Sequence, residues 1–427
     1  MFKRIILYFS LLGLWSCTDE FMPEPLGEPI PQENYPSLRE VLSSSNEYTL
    51  FRAAWERGAM ERVVTEEYSQ SKLLFLVPND EAMKTAGYTL EIINATDIAD
   101  LEVFLRYHVL NNHMTREHLR ESASALAFNS LLIHPELQEG VQSASIMIAA
   151  PYCYQHTLQL VGEDQLIDNG VLVSTADWIP VDNGTIVPLD QVIERPTNQM
   201  IDVLREDGRF SLFVRAMELN GLLYDAYTVS NLSPPIFPPY KYITDWYAVT
   251  EGGFRSQELL PHVIRFTLFA PTDAAFQEIG IHTEEDLRLL NARSQVRFGN
   301  NASTPSDSLL VTHRISRSRV EMDIDWVAFV PGISVIAHSK GANAVFYDRS
   351  LNNGTLGNYV IESTVNFPIY LDYDFGADAS GRVTVKQRGS AAEPATVIES
   401  NINTFQGPIH VVDRLIVPKD FSMWHVK

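Results

Sequence analysis

Apolar residues along this chain alternate between two spacings, and the alternation occurs twice. Leu38, Val41 and Leu42, then Leu50, Phe51, Ala54 and Trp55, recur at the three- and four-residue intervals of helices packed on one side. The solid runs Leu73-Leu74-Phe75-Leu76-Val77 and Phe266-Thr267-Leu268-Phe269-Ala270 are short and rich in strand formers, which predicts buried β-strands. Each run halts at a proline, Pro78 or Pro271, which cannot donate to a sheet ladder. The Asn79-Asp80 and Thr272-Asp273 that follow can accept free amide hydrogens at a helix start, so each strand should break directly into a capped helix. Ahead of the second strand the helical spacing returns in Met200, Val203 and Leu204, then Leu212, Phe213 and Ala216.

Each proline-stopped strand has a distant counterpart. Gly184-Thr185-Ile186-Val187-Pro188-Leu189-Asp190 and Gly407-Pro408-Ile409-His410-Val411-Val412-Asp413 carry Gly, Ile and Asp in one register, and each runs on to a proline, Pro196 or Pro418. An internal duplication is the simplest source of such order. These paired segments resemble the two signature motifs of fasciclin-type domains: Phe269 through Phe276 is similar to the first and Gly407 through Pro418 to the second. In the first copy Leu105-Arg106-Tyr107-His108-Val109-Leu110 resembles the family's central Tyr-His segment, to which adhesion has also been linked. The second copy offers Leu310-Val311-Thr312-His313-Arg314, which keeps a histidine and lacks the tyrosine; Met83 and Val187-Pro188 depart from the motifs in the first. The resemblance implies an α+β fold of two fasciclin-type domains, each a wedge-like β-sandwich with packed helices. It casts Pro78, Asp80, Tyr107, His108, Gly184, Asp190, Pro271, Asp273, His313, Gly407, His410 and Asp413 as structural motif residues.

A length of 427 residues at 45% hydrophobic exceeds one ordinary core and suits two. The boundary is expected near 196, where strand-like sequence ends and the helical pattern restarts, giving domains 37–196 and 197–427 joined by a short hinge. A formal net charge of −22 with no long basic run repels phosphate backbones, so no nucleic-acid partner is expected.

The N-terminus reads as an address. Lys3-Arg4 precede an apolar stretch from Ile5 to Trp15, too short for a membrane span and suited to a signal peptide over 1–16. Leu14-Trp15-Ser16-Cys17 resembles a bacterial lipobox, which makes Cys17 the lipidation site; the competing reading is a secretory signal with an incidental cysteine. Thr18-Asp19-Glu20 resembles the acidic signal that directs lipoproteins outward. The expected location is the outer membrane, held by lipid alone, facing the exterior. Residues 17–36, rich in proline and glutamate, read as an extended spacer. Cys153 is the only other cysteine, so no intramolecular disulfide can form once Cys17 is lipidated, and it reads as a small buried hydrophobe.

The second copy is longer than the first between its Leu-Phe pair and its motif proline. The excess, about 224–262, holds Phe237, Tyr240, Tyr242, Trp246 and Tyr247 among rigidifying prolines. Rings on stiff loops can stack on sugars or fill a partner's pocket at small entropic cost, which makes these five the candidate binding residues. The alternative is a flap whose rings pack on their own domain. Tyr107-His108 and His313 sit in apolar surroundings and read as buried, hydrogen-bonded positions. Asp190 and Asp413 read as acceptors for backbone or arginine donors. Glu321, Asp323 and Asp325, and Asp372, Asp374 and Asp378, place carboxylates at intervals compatible with calcium, but without the glycine and terminal glutamate of a calcium loop they read as solvated faces.

No nucleophile elbow, zinc-protease helix, phosphate-binding glycine loop or Cys-x-x-Cys occurs. The expectation is a binding protein without catalytic residues, metal or cofactor. Its partner would be a protein or glycan at the cell surface, as an accessory subunit of an outer-membrane importer and its companion lipoprotein. A general adhesin for matrix or neighbouring cells, and a polysaccharide-processing enzyme with an unrecognised carboxylate pair, are the alternatives.

Overall fold

Ser37 opens the first helix. Its hydroxyl accepts from the Glu40 amide at 3.2 Å while the Glu40 carboxylate accepts from the Ser37 amide at 2.8 Å, a reciprocal cap that fixes α1 over Leu38–Ser44. This computed structural model describes residues 34–112, 114–122, 124–143, 146–216, 262–263, 265–287, 296–298, 302–304, 335–336, 344–363 and 368–416. Cys17, the spacer, the aromatic set Phe237, Tyr240, Tyr242, Trp246 and Tyr247, His313, Pro418 and the Glu321–Asp325 carboxylates lie outside the described residues.

In the first unit α1, α2 (Thr49–Arg57), α3 (Met60–Glu67), α4 (Asp80–Thr85), α5 (Leu90–Ala95) and α6 (Ile98–Tyr107) surround β1 (Leu73–Pro78) on its helix-facing side. Every residue of β1 is buried, so the strand must have a core on each face. Alternation divides the strand: Leu73, Phe75 and Val77 pack with the helices, while Leu74 and Leu76 join the opposite cluster. β2 (Val109–Leu110) pairs antiparallel to β1. After α7 (Arg116–Glu121) come the long hairpin β3 (Leu126–Ser143) and β4 (Ile146–Val161), then β5 (Gln165–Asp168), β6 (Val171–Ser174), β7 (Ile179–Val181) and β8 (Gly184–Leu189).

The strands lie in the order β6-β5-β4-β3-β2-β1-β8-β7, with bulges in β3 against β4. The sheet folds over until its β6 edge meets the end of β8, where the Asp190 amide donates to the Val173 carbonyl at 2.8 Å. Leu74, Leu76, Leu158, Leu166, Val173, Val187 and Leu189 fill the enclosed wedge. The unit is therefore a folded sheet with a core inside it and helices packed outside it.

The second unit begins at α8 (Met200–Glu206), followed by a helical stretch at 211–216. Its strands are β9 (His262–Val263), β10 (Thr267–Pro271), β11 (Val296–Phe298), β12 (Ala302–Thr304), β13 (Val335–Ile336), β14 (Val360–Ser363), β15 (Pro368–Tyr370), β16 (Tyr373–Ala377), β17 (Val383–Gln387), β18 (Ala395–Thr404) and β19 (Gly407–Val412). Six of them form the sheet β13-β10-β19-β18-β17-β16 over a core of Phe269, Tyr373, Phe375, Val385, Val397 and Val412. The whole is a mixed helix-and-sheet fold carrying two principal sheets.

The duplication extends to pairing register. β1 runs parallel to β8 with Phe75 opposite Ile186 and Pro78 opposite Leu189; β10 runs parallel to β19 with Leu268 opposite Ile409 and Pro271 opposite Val412. Both junctions are closed by glycine. A Cβ on Gly184 would lie 1.9 Å from the Leu73 carbonyl oxygen, and one on Gly407 2.3 Å from that of Phe266, with φ at +134° for Gly407.

A second pairing is repeated as well. Leu74 and Phe75 of β1 pair with Leu110 and Val109, and the matching Thr267 and Leu268 of β10 pair with Ile336 and Val335. The register of β13 against β10 thus repeats that of β2 against β1, while His313 lies outside the described residues.

Candidate functional site

The duplicated motifs hold the first helices in place by a bond absent from any local pattern. Asn79 and Thr272 are the caps: their side chains accept from the Ala82 and Ala275 amides. Asp80 and Asp273, one position later, turn away from their own helices. Asp80 accepts from the Leu50 amide at 2.8 Å and from the Thr49 hydroxyl, at the start of α2. Asp273 accepts from the Leu212 amide at 2.8 Å and the Ser211 hydroxyl at 2.5 Å. Each carboxylate thus ties the strand-to-helix corner to the start of an upstream helix, where free amides favour an anion. Asp190 accepts from the Asn79 side-chain amide at 3.3 Å, and Asp413 from the Thr396 amide at 2.7 Å with Arg414 at 3.5 Å.

The central histidines are inside. His108 is fully buried, its Nδ1 2.9 Å from the Phe104 carbonyl, and burial holds its pKa down at about 3. Tyr107 is buried beside it, so neither residue is presented to a partner. Behind Tyr107 lies a group the sequence reading did not assemble: His156 Nδ1 sits 2.5 Å from Asp168 Oδ2, and its Nε2 2.9 Å from the Tyr107 carbonyl, all of it buried. The Tyr107 hydroxyl and Asp168 Oδ1 have no hydrogen-bond partner among the described residues. In the second unit His410 is buried against Phe269, its Nε2 2.9 Å from the Phe346 carbonyl, with its pKa lowered by burial to about 4.

Arg265 joins the two units. Standing one residue before the Phe266 run, it is 7% exposed and reaches into the first unit. Its Nε pairs with Glu139 at 3.2 Å, Nη1 donates to the Tyr152 hydroxyl at 3.2 Å, and Nη2 donates to the Cys153 carbonyl at 2.5 Å. The guanidinium also lies over the Tyr152 ring, 4.3 Å from its centroid. Tyr152 in turn donates to the Phe405 carbonyl at 2.9 Å, and burial pushes its pKa up to about 12 despite the nearby Arg265. β9 adds to β3 in parallel, and Phe405 and Val263 pack into the first unit's inner core. Asn401 donates to the Gly170 carbonyl at 3.3 Å at another point of the seam. A lone arginine entering an apolar run was the one available signal; its partners, more than a hundred positions away, were not.

Cys153 is half-buried rather than enclosed, with its thiol 3.7 Å from the Pro151 carbonyl. Burial raises its pKa, which disfavours the thiolate, and His156 is committed to Asp168. Asp372, Asp374 and Asp378 separate onto different partners, Gln387, Arg388 and the Ser380–Arg382 turn. Among the described residues no cluster of three or more His, Cys, Asp or Glu side chains could hold a metal ion. No helix among them is long and apolar enough to cross a membrane.

Residues 46–195 match the family model of the Fasciclin domain, which is the span of the first unit from α2 to the close of its sheet. A solved FAS1 domain pair from the insect cell adhesion molecule fasciclin I is similar at 11% identity and a TM-score of 0.30, over 87% of this chain and 96% of that one. No curated protein matches the chain. The first unit is thus similar to fasciclin domains by sequence, and the second unit repeats the first in its paired strands and motif bonds.

Proposed function

We propose that this chain is a cell-surface binding protein of the adhesion type, without catalytic activity of its own, lipid-anchored through Cys17 to an outer membrane. The match of residues 46–195 to the Fasciclin domain carries the reading, since such domains generally serve cell adhesion. The buried polar groups of the inner core and seam are compatible with it: His156 bonds Asp168, His108 bonds the Phe104 carbonyl, and Arg265 bonds Glu139, Tyr152 and the Cys153 carbonyl. The lipobox-like run and the acidic residues after Cys17 support an anchor facing outward, and the spacer would lift the first unit off the lipid. Within this reading the protein serves as an accessory subunit of a glycan or nutrient importer, with Phe237, Tyr240, Tyr242, Trp246 and Tyr247 meeting glycan or importer.

Affinity capture of the lipidated protein from intact outer membranes is the test. Co-recovery of an importer and its companion lipoprotein is the expected result. Binding only to matrix or to other cells would favour a general adhesin, and turnover of a polysaccharide by the purified ectodomain would overturn the non-catalytic reading. Cys17→Ala should release the protein from membranes.

A further inference from the structure

A cleft of about 200 Å³ opens on the helical side of the first unit, lined by Arg39 and Leu42 of α1, Arg52, Trp55 and Glu56 of α2, and Glu61 of α3. Ala59, at φ +51° and ψ +31°, makes the turn between α2 and α3 abrupt enough to return Glu61 to Trp55, whose indole nitrogen donates to Glu61 Oε2 at 3.3 Å. Trp55, 3% exposed and packed in the helical core, is the fixed floor of the cleft.

The two arginines of this cleft have no ion pair among the described residues. Elsewhere in the described structure Arg106, Arg116, Arg209, Arg215, Arg265, Arg382 and Arg388 are each held by a carboxylate, while Arg57, Arg120 and Arg195 bond carbonyl or hydroxyl oxygens. Arg39 and Arg52 have no side-chain hydrogen bond or ion pair with any described residue, although Glu56 and Glu61 line the same cleft. Both arginines thus border the cleft beside carboxylates to which they are not bonded. Such a site suits a ligand with one anionic group and several hydroxyls. The guanidinium forks match a carboxylate in plane, and the glutamates accept hydroxyl hydrogens. The volume admits about one six-membered sugar ring above the buried Trp55 and Leu42, which form its floor.

We propose that this cleft binds a uronic-acid unit of an acidic polysaccharide, its carboxylate on Arg39 and Arg52 and its hydroxyls toward Glu56 and Glu61. The proposal rests on the surface-binding reading for its biological sense and supplies that reading with a ligand class. It also gives the acidic chain a way to hold an acidic polymer at one point despite overall repulsion, so binding should weaken as salt rises.

The experiment is calorimetric titration of the soluble ectodomain with D-galacturonic acid and its short oligomers, with D-galactose and inorganic sulfate as controls. Saturable binding of the uronate is expected, with galactose and sulfate much weaker. Arg39→Gln and Arg52→Gln should each weaken it about tenfold or more, the loss of a charge-assisted bond, at unchanged melting temperature. Arg52→Lys should recover part of the loss. Absence of uronate binding, equal binding of sulfate, or uronate binding untouched in both glutamine variants would each overturn the proposal. If the double variant lost uronate binding while importer capture persisted, this site would stand apart from that partnership. Loss of capture with intact uronate binding would instead strike at the importer reading alone.

Discussion

Acid should destabilise both units well before their carboxylates protonate, because each hides a neutral histidine. His108 and His410 are buried, and burial lowers their pKa values from 6.5 to about 3 and about 4. The depressed value means the folded chain refuses a proton that the unfolded chain accepts. Stability is therefore full above about pH 6.5 and declines as pH falls, until about pH 3 for His108 and about pH 4 for His410. Integrating the difference gives a loss of about 2 kcal/mol from each histidine at pH 5 and about 3 kcal/mol at pH 4. Neither ring is solvent-exposed, so no screening discount applies. Guanidinium unfolding of the ectodomain at half-unit steps from pH 7.5 to 5 reads this directly. Most carboxylates remain ionised in that window, which isolates the imidazoles. His134, partly buried with its pKa also lowered by burial, adds in the same direction. A midpoint that stays constant between pH 6.5 and 5 would refute the reasoning, as would an unchanged slope in a folded His108→Gln, His410→Gln double variant.

Gly407→Ala should cost about 3 kcal/mol or more, since the added Cβ meets the Phe266 carbonyl at an unfavourable φ; chemical denaturation reads it, and a loss below about 1 kcal/mol would count against the parallel junction described. Asp80→Ala should cost about 1–2 kcal/mol by freeing the amide of Leu50, and Asp273→Ala should do the same at Leu212; unequal effects by calorimetry would argue that the two corners are not equivalent. Arg265→Met should remove about 3 kcal/mol from the coupling between units, leaving Glu139 poorly paired, and should split one calorimetric transition into two. A single unshifted transition would mean that the seam is held without it.

What the sequence determined is local and repeated. A proline can end a strand only where no ladder donor is needed, and an asparagine or threonine after it caps a helix, so Leu73–Thr85 and Thr267–Glu278 were legible as strand-to-helix corners. The shared Gly, Ile and Asp of the distant segments showed that something is built twice. Tertiary structure decided the rest. It put β8 beside β1 and β19 beside β10, and turned Asp80 and Asp273 onto helices other than their own. It also drew Arg265 over Tyr152 and left Arg39 and Arg52 without an ion pair among the described residues around one cleft. Periodicity reports which face of an element is apolar, but it carries no record of the partner that covers that face. Such partners are chosen by packing and hydrogen-bond satisfaction between segments far apart in the chain, where no spacing rule reaches.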